Sequence, residues 1–136
     1  MTFPLSSFES QEITCFEIIK AAYALSENEL EIMMCIKHIQ PVDIKGIAEI
    51  IPKDRATISR SIQRLMGIGV VRKTKINLER GGFKYLYSSM SVEELKTKLM
   101  ELINRISHNM EIAISNLTEK KCKEVFEEVR TKYSPK

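Results

Sequence analysis

Apolar residues recur at helical spacing along most of this chain, and one stretch departs from that pattern. Spacings of three and four residues between apolar positions predict six helices, at about 6–25, 26–39, 44–51, 54–66, 91–117 and 118–133. Between 70 and 88, two short runs of β-branched and aromatic residues flank a turn at 79–82. The chain is therefore expected to be a mainly α protein of α+β class with one β-hairpin.

Side chains that can accept hydrogen bonds from free helix amides precede the helices, which supports these boundaries. They are Ser6 or Ser7, Ser26, Asp43, Asp54 and Ser91. Ser6, Ser26 and Ser91 each have a glutamate three residues later, the spacing of a capping box. Gly67 or Gly69 is expected to end the fourth helix, because glycine adopts the left-handed conformation that closes a helix.

The helix at 54–66 has an apolar face formed by Ile58, Ile62, Leu65 and Met66. At about 100° per residue, the opposite face holds hydrogen-bonding or small side chains, with Arg55 and Ser59 on its flanks. Arginine and glutamine bond bidentately to guanine and adenine, so this face is expected to read DNA bases in the major groove. The predicted base-reading residues are Ala56, Thr57, Arg60, Gln63 and Arg64.

A solvated surface helix is the alternative interpretation of 54–66. Such a face would usually mix glutamate with lysine, whereas no carboxylate occurs between Arg55 and Leu78. The helix at 44–51 precedes it across a three-residue turn, which is typical of a helix-turn-helix. The pattern therefore favours a DNA-reading helix.

The hairpin at 70–88 follows this helix, as the wing of a winged helix-turn-helix does, although an ordinary basic hairpin is the alternative. Basic and hydroxyl side chains on and around the two elements are expected to hold phosphates or to enter the minor groove. These residues are Lys45, Lys53, Arg55, Ser59, Arg72, Lys73, Lys75, Arg80 and Lys84.

Charge is segregated along the chain in a way that supports a polyanion-binding surface. Residues 37–87 hold eleven basic and four acidic side chains, a net charge of +7, while the rest of the chain holds ten basic and fourteen acidic ones. Phosphate contacts supply most of the non-specific affinity for nucleic acid. Double-stranded DNA is therefore the expected partner.

Composition excludes several other classes. At 136 residues and 43% hydrophobic content the chain reads as one soluble domain without a membrane span or signal peptide, so a cytoplasmic location is expected. Its three cysteines lack metal-ligand spacing and fall in apolar patterns, so buried free thiols are expected, with no metal and no cofactor. His38 and His108 lie on separate helices without a catalytic motif, so no enzyme is expected.

The first helix and the last two carry more apolar surface than a small winged core can cover. Along 91–117, apolar residues repeat at nearly heptad steps, and further apolar residues widen that stripe. We therefore expect three segments: an N-terminal dimerisation helix at 1–25, a DNA-binding domain at 26–90 and C-terminal dimerisation helices at 91–136.

The stretches LSENELEIM, IKGIAEII and ATISRSIQRLMGIGVVRK resemble the winged-helix transcription regulators of the MarR type and the related TrmB and Lrs14 types. The most specific part is Thr57-Ile58-Ser59-Arg60, followed by Leu65 and by Gly69-Val70-Val71. The resemblance implies a homodimer that holds two winged heads at adjacent major grooves. Many MarR-type wings carry Asp-x-Arg before the turn, whereas Asn77 to Arg80 here reads NLER. Arg80 is kept as the expected wing contact.

Three functions remain open at this stage. The leading one is a sequence-specific transcription regulator, and the alternatives are an architectural DNA-binding protein and a winged-helix protein-interaction module. Similar regulators bind small-molecule effectors, and the residues that would line such a pocket are Phe16, Tyr23, Met33 and Met34. Core packing is the simpler explanation for them. A peroxide-sensing branch of these regulators uses a reactive cysteine in the first helix, which the resemblance would place at Cys15. No Arg or His stands near Cys15 in the sequence to activate the thiol, so an inert thiol is favoured.

Overall fold

The computed structural model describes residues 5–10 and 12–135, so parts of the predicted segments 1–25 and 91–136 (residues 1–4, Gln11 and Lys136) lie outside the described residues. A short 3-10 helix, Leu5–Phe8, precedes the regular elements. These are α1 (Cys15–Tyr23), α2 (Glu27–Ile39), α3 (Ile44–Ala48), α4 (Arg55–Ile68), β1 (Val71–Asn77), β2 (Phe83–Ser89), α5 (Val92–Ser115) and α6 (Glu119–Lys132). The predicted mainly α fold with a winged helix-turn-helix is confirmed.

The first helix differs from its prediction. It begins at Cys15, and its cap is Thr14, whose Oγ1 accepts a hydrogen bond from the Glu17 amide at 3.2 Å. The prediction of Ser6 or Ser7 as the cap was wrong. Both Ser6–Glu9 and Thr14–Glu17 have capping-box spacing, and apolar periodicity does not distinguish between two such starts.

The caps of the next helices are those the sequence indicates. Ser26 and Glu29 form a complete capping box at the start of α2. Asp43 and Asp54 accept hydrogen bonds from the third amide of α3 and of α4 respectively. Helix α3 ends at Ala48 instead of Ile51, and α4 runs to Ile68, where Gly69 closes it with a φ of 92°. Gly67 lies inside α4.

The core forms where α2, α3 and α4 pack against one another and against the hairpin. Its most buried side chains, each under 2% exposed, are Ile32, Met33, Ile36, Ile47, Ile58, Ile62, Leu65 and Val70. Val71 and Tyr87 at the base of the hairpin and Leu95 in α5 belong to the same cluster. Burial of Ile58, Ile62 and Leu65 on one face of α4 leaves its other face to solvent.

Strands β1 and β2 pair antiparallel, from Val71 opposite Ser89 to Asn77 opposite Phe83. Gly81 and Gly82 in the turn have φ values of 90° and 79°, which other residues rarely adopt. Val42 adds two hydrogen bonds to Tyr87 at the outer edge of β2, a contact that the sequence pattern did not indicate. This contact ties the base of the wing to the start of α3.

The chain divides into two compact units, Met1–Leu99 and Met100–Lys136. The first holds the core. In the second, α6 has no buried residue, and large apolar side chains are exposed along both helical segments. Cys15 and Cys122 are exposed and Cys35 is half-buried, so the prediction of buried thiols was wrong for the first two in the single chain. Helical spacing indicates an apolar face but not what covers it.

Candidate nucleic-acid interface

Helix α4 is fixed at both ends and along its buried face. Asp54 Oδ1 accepts the Thr57 amide at 2.7 Å, and hydrogen bonds from Thr57 are the main reason that the pKa of Asp54 is lowered from its ordinary value. At the other end, Lys98 Nζ of α5 donates to the Ile68 carbonyl at 3.1 Å. A helix held in this way presents its outer side chains from a rigid base.

The outer face of α4 exposes Ala56, Arg60 and Gln63, while Thr57 is half-buried beside them. Arg60 Nη2 donates to Thr57 Oγ1 at 3.3 Å, so these two predicted base-reading side chains lie in contact. This face carries two long hydrogen-bonding side chains, Arg60 and Gln63, with the smaller Ala56 and Thr57 beside them. That combination allows close approach to base edges in a major groove.

Arg64 lies elsewhere, in a cluster with the ends of α1 and α2. Its Nη1 donates to Glu29 Oε1 at 2.7 Å, and its Nη2 donates to the Tyr23 carbonyl at 3.0 Å. Burial acts to raise the pKa of Glu29, but hydrogen bonds from the Ser26 backbone and from Arg64 outweigh it and leave that pKa below its ordinary value. Arg64 is thus engaged in joining α4 to the α1–α2 corner, which differs from the free, base-reading side chain that we expected.

The reason for this difference is geometric. Arg64 and Gln63 lie on opposite sides of Arg60 around the helix, and the sequence shows both as polar positions on an outer face. Only the packing of the α1–α2 corner against one flank decides which of them has a protein partner. The capping glutamate at Glu29 was a visible signal, because it places a carboxylate at the start of α2.

The predicted backbone contacts fall into two groups. Lys45, Lys53, Arg55 and Arg80 are exposed near the helix-turn-helix or at the wing tip, and Ser59 is half-buried. The wing cations have specific partners: Arg72 pairs with Glu94 at 4.0 Å and Lys84 with Asp43 at 3.4 Å, while Lys73 and Lys75 lie over aromatic rings. The amide of Gly46, followed by Lys84, lowers the pKa of Asp43.

The predicted effector residues occupy dissimilar environments. Met33 is fully buried in the core, Tyr23 and Met34 are half-buried, and Phe16 is 46% exposed. Burial raises the pKa of Tyr23. An open cavity of about 520 Å³ lies instead within the C-terminal unit, where apolar and polar side chains line it. These are Ala113, Asn116, Leu117, Lys121, Cys122 and Val125.

Known proteins resemble this chain in both sequence and fold. Residues 25–77 match the sequence model of the MarR family, a segment that runs from two residues before α2 to the end of β1. An uncharacterized protein of Methanocaldococcus jannaschii is 27% identical over 100 residues, which are 74% of this chain and 76% of that protein.

Two solved archaeal structures share the fold. One, described as a possible transcriptional regulator from Methanosarcina mazei, has a TM-score of 0.69 at 19% identity and covers 82% of this chain and 95% of its own. The other, from Sulfolobus tokodaii, has a TM-score of 0.56 at 21% identity and covers 69% and 92%. The family match confirms the resemblance drawn from the sequence over residues 25–77, and the solved structures share the fold.

Proposed function

We propose, from the MarR family match over residues 25–77, that this chain is a sequence-specific transcription regulator that binds double-stranded DNA as a homodimer. Helix α4 enters the major groove, and the wing contacts phosphates or the minor groove. The observation that carries the proposal is the carboxylate-free outer face of α4, on a helix whose opposite face buries Ile58, Ile62 and Leu65. A helix of that kind is suited to direct readout.

Within α4 we assign base reading to Arg60 and Gln63, with Ala56 and Thr57 allowing close approach. Arg64 acts as a positioning residue, because its two hydrogen bonds hold α4 to the α1–α2 corner. Lys45, Lys53, Arg55, Ser59 and Arg80 are assigned to the DNA backbone. Backbone contacts of this kind set register and affinity without selecting sequence.

Dimerisation is assigned to α1 and to the helices within 91–136. Exposed apolar side chains along the second unit include Ile114, Leu117, Phe126 and Tyr133, the last of them 74% exposed. Several large apolar side chains exposed together on neighbouring helical turns support an association site. A two-fold dimer would place two reading helices about one turn of DNA apart, which matches a pseudo-palindromic site.

The test is selection of bound sequences from a random duplex pool at near-physiological salt, with light scattering on the same sample. We expect a pseudo-palindrome and a dimer mass. Arg60→Ala should relax the preference at one base pair per half-site by about 1–3 kcal/mol. A matched variant, Lys53→Ala, should weaken binding to every sequence alike.

Two other outcomes would overturn the proposal. If competition with bulk genomic DNA removed the wild-type protein from the selected site at equal mass, the protein would be an architectural DNA binder. If duplex DNA were not bound above background at moderate salt, a protein-interaction role would replace DNA binding. A small-molecule effector stays a prediction.

A further inference from the structure

The two faces of the wing hairpin differ in which side chains lie beside their lysine and arginine residues. Residues directly opposite each other in an antiparallel pair share a face. The register pairs Lys73 with Tyr87 and Lys75 with Tyr85, while Arg72 and Lys84 belong to the other face. We call the side that bears Lys73, Lys75, Phe83 and Tyr85 the aromatic face.

Carboxylates partner the cations of the opposite face. Lys84 Nζ lies 3.4 Å from Asp43 Oδ2, and Arg72 Nη2 lies 4.0 Å from Glu94 Oε1. The pair with Asp43 also joins the hairpin to the cap of α3. These two positive charges are therefore partly compensated within the protein and are less available to a phosphate.

Aromatic rings partner the cations of the aromatic face. Lys73 Nζ is 4.4 Å from the centre of the Tyr85 ring, and Lys75 Nζ is 4.2 Å from the centre of the Phe83 ring. Among residues 5–10 and 12–135, neither lysine has a carboxylate within 4 Å. A ring attracts and orients a cation through its quadrupole but leaves the net charge in place. The rings therefore orient these two lysines, and no carboxylate of the described residues neutralises their positive charges.

The aromatic face continues the buried side of the hairpin. At its base, Val71 and Tyr87 belong to the same core cluster as Ile58 and Ile62 of α4. Toward the tip the core no longer covers this face, and Phe83 is 50% exposed. The Phe83 and Tyr85 rings meet edge to face with centroids 5.4 Å apart, a favoured aromatic arrangement that restrains both.

We propose that the aromatic face is the side of the wing that contacts DNA. Lys73 and Lys75 bind phosphates, and the exposed Phe83 ring packs against deoxyribose and base edges in the minor groove beside the major groove that α4 reads. Apolar side chains are known to serve in minor grooves, where lysine and arginine flank them. This inference rests on the proposed function and assigns the face and the ring that the wing uses.

The experiment compares matched variants on one operator duplex across a salt series. Lys75→Gln should lower the salt slope of binding by about 1, the signature of one lost phosphate contact, while Lys84→Gln should leave the slope unchanged. Phe83→Ala should weaken binding about tenfold without changing the slope, because an apolar contact releases no counterion. Leu78→Ala, an exposed apolar position across the turn, should bind like wild type.

Hydroxyl-radical footprinting gives a second readout. Phe83→Ala should lose minor-groove protection at the flanks of the site and keep protection at its centre. Phe83→Leu, which retains an apolar side chain, should restore part of both affinity and protection. Thermal unfolding of each variant separates a lost DNA contact from a misfolded hairpin. Because Phe83 is half-exposed, its replacement should lower the unfolding midpoint only slightly, through the lost contacts with Tyr85 and Lys75.

The inference would be overturned if Phe83→Ala bound and protected DNA like wild type. It would also be overturned if Lys84→Gln, and not Lys75→Gln, lowered the salt slope, because the opposite face would then be the DNA side. Absence of duplex binding by the wild-type protein would overturn the proposed function itself, and that result is obtained before any variant is compared.

Discussion

The winged core and the C-terminal unit carry apolar residues at the same helical spacing, yet they differ in how far those residues are buried. In the core, Ile58, Ile62 and Leu65 are at most 1% exposed. In residues 100–135, side chains of the same type face solvent, and Leu117 is 71% exposed. One chain completes the first hydrophobic core by itself, and we propose that a second copy of the chain covers the second apolar surface.

The two units also differ in how their helices are held, and we propose a different role for each. The core holds α4 rigidly, through its buried face and through the bonds of Asp54, Arg64 and Lys98. In the described part of the C-terminal unit no side chain of α6 is buried, and we propose that its exposed apolar side chains serve association. Each of the following predictions tests one side of this contrast.

Truncating a core side chain should give the largest effect. Ile62→Ala should lower the free energy of unfolding by about 2–5 kcal/mol, because it removes buried contacts and leaves a cavity. The measurement is urea denaturation at a fixed protein concentration. Ile50→Ala, at a position 58% exposed in the same unit, is the control and should change stability by about 0.5 kcal/mol or less. Equal losses would contradict the assigned core.

Placing charge in the exposed apolar face should dissociate the proposed dimer. Phe126→Glu with Val129→Glu should raise the dimer dissociation constant by at least about 100-fold, since each buried apolar side chain is worth about 1.5–3 kcal/mol. Sedimentation over a dilution series measures the constant. Thr131→Glu adds charge at an exposed polar position of α6 and should leave it unchanged. A dimer of wild-type strength in the double variant would move the interface elsewhere.

Weakening the Arg64 cluster should have a smaller effect within the core. Glu29→Gln keeps an acceptor for the Ser26 amide but removes the charge facing Arg64, and should cost about 1 kcal/mol because the Arg64 side chain is 41% exposed. DNA affinity should fall with it, since α4 loses one restraint. Glu31→Gln, an exposed glutamate of α2, is the matched control.

The destabilisation caused by Glu29→Gln should depend on pH in one direction. The pKa of Glu29 lies below its ordinary value of 4.5 in the folded chain, so its stabilising bonds are complete above pH 4.5 and are lost as the pH falls through the lowered pKa. The stability gap between wild type and Glu29→Gln should therefore persist from pH 8 to pH 5 and shrink as the pH falls through the lowered pKa of Glu29. A gap that stayed constant at acid pH would show that charge is not its cause.

Thiol labelling should give the smallest effect. Cys122 lines the open cavity of the C-terminal unit, whereas Cys35 is half-buried and burial raises its pKa. Alkylation read by mass spectrometry should modify Cys122 faster on dilution, as the proposed dimer dissociates, while Cys35 reacts slowly at every concentration. A Cys122 rate independent of concentration would place that residue outside the interface.

Much of this protein follows from local sequence. Helical spacing and the caps at Ser26, Asp43 and Asp54 determine where α2, α3 and α4 begin, because a cap is a contact between residues three positions apart. The β-branched runs and paired glycines likewise determine the hairpin. The carboxylate-free outer face of α4, which we propose reads DNA, follows from the sequence, since residue type and a period of 3.6 suffice to define it.

Only the tertiary structure decided which of those side chains are free. Arg64 and Gln63 are both polar positions on α4, but the α1–α2 corner engages Arg64 and leaves Gln63 exposed. On the wing, carboxylates from α3 and α5 engage Lys84 and Arg72, while Lys73 and Lys75 lie over rings. The physical reason is that these partners lie 8 to 41 residues away along the chain, and periodicity carries no information about contacts of that kind.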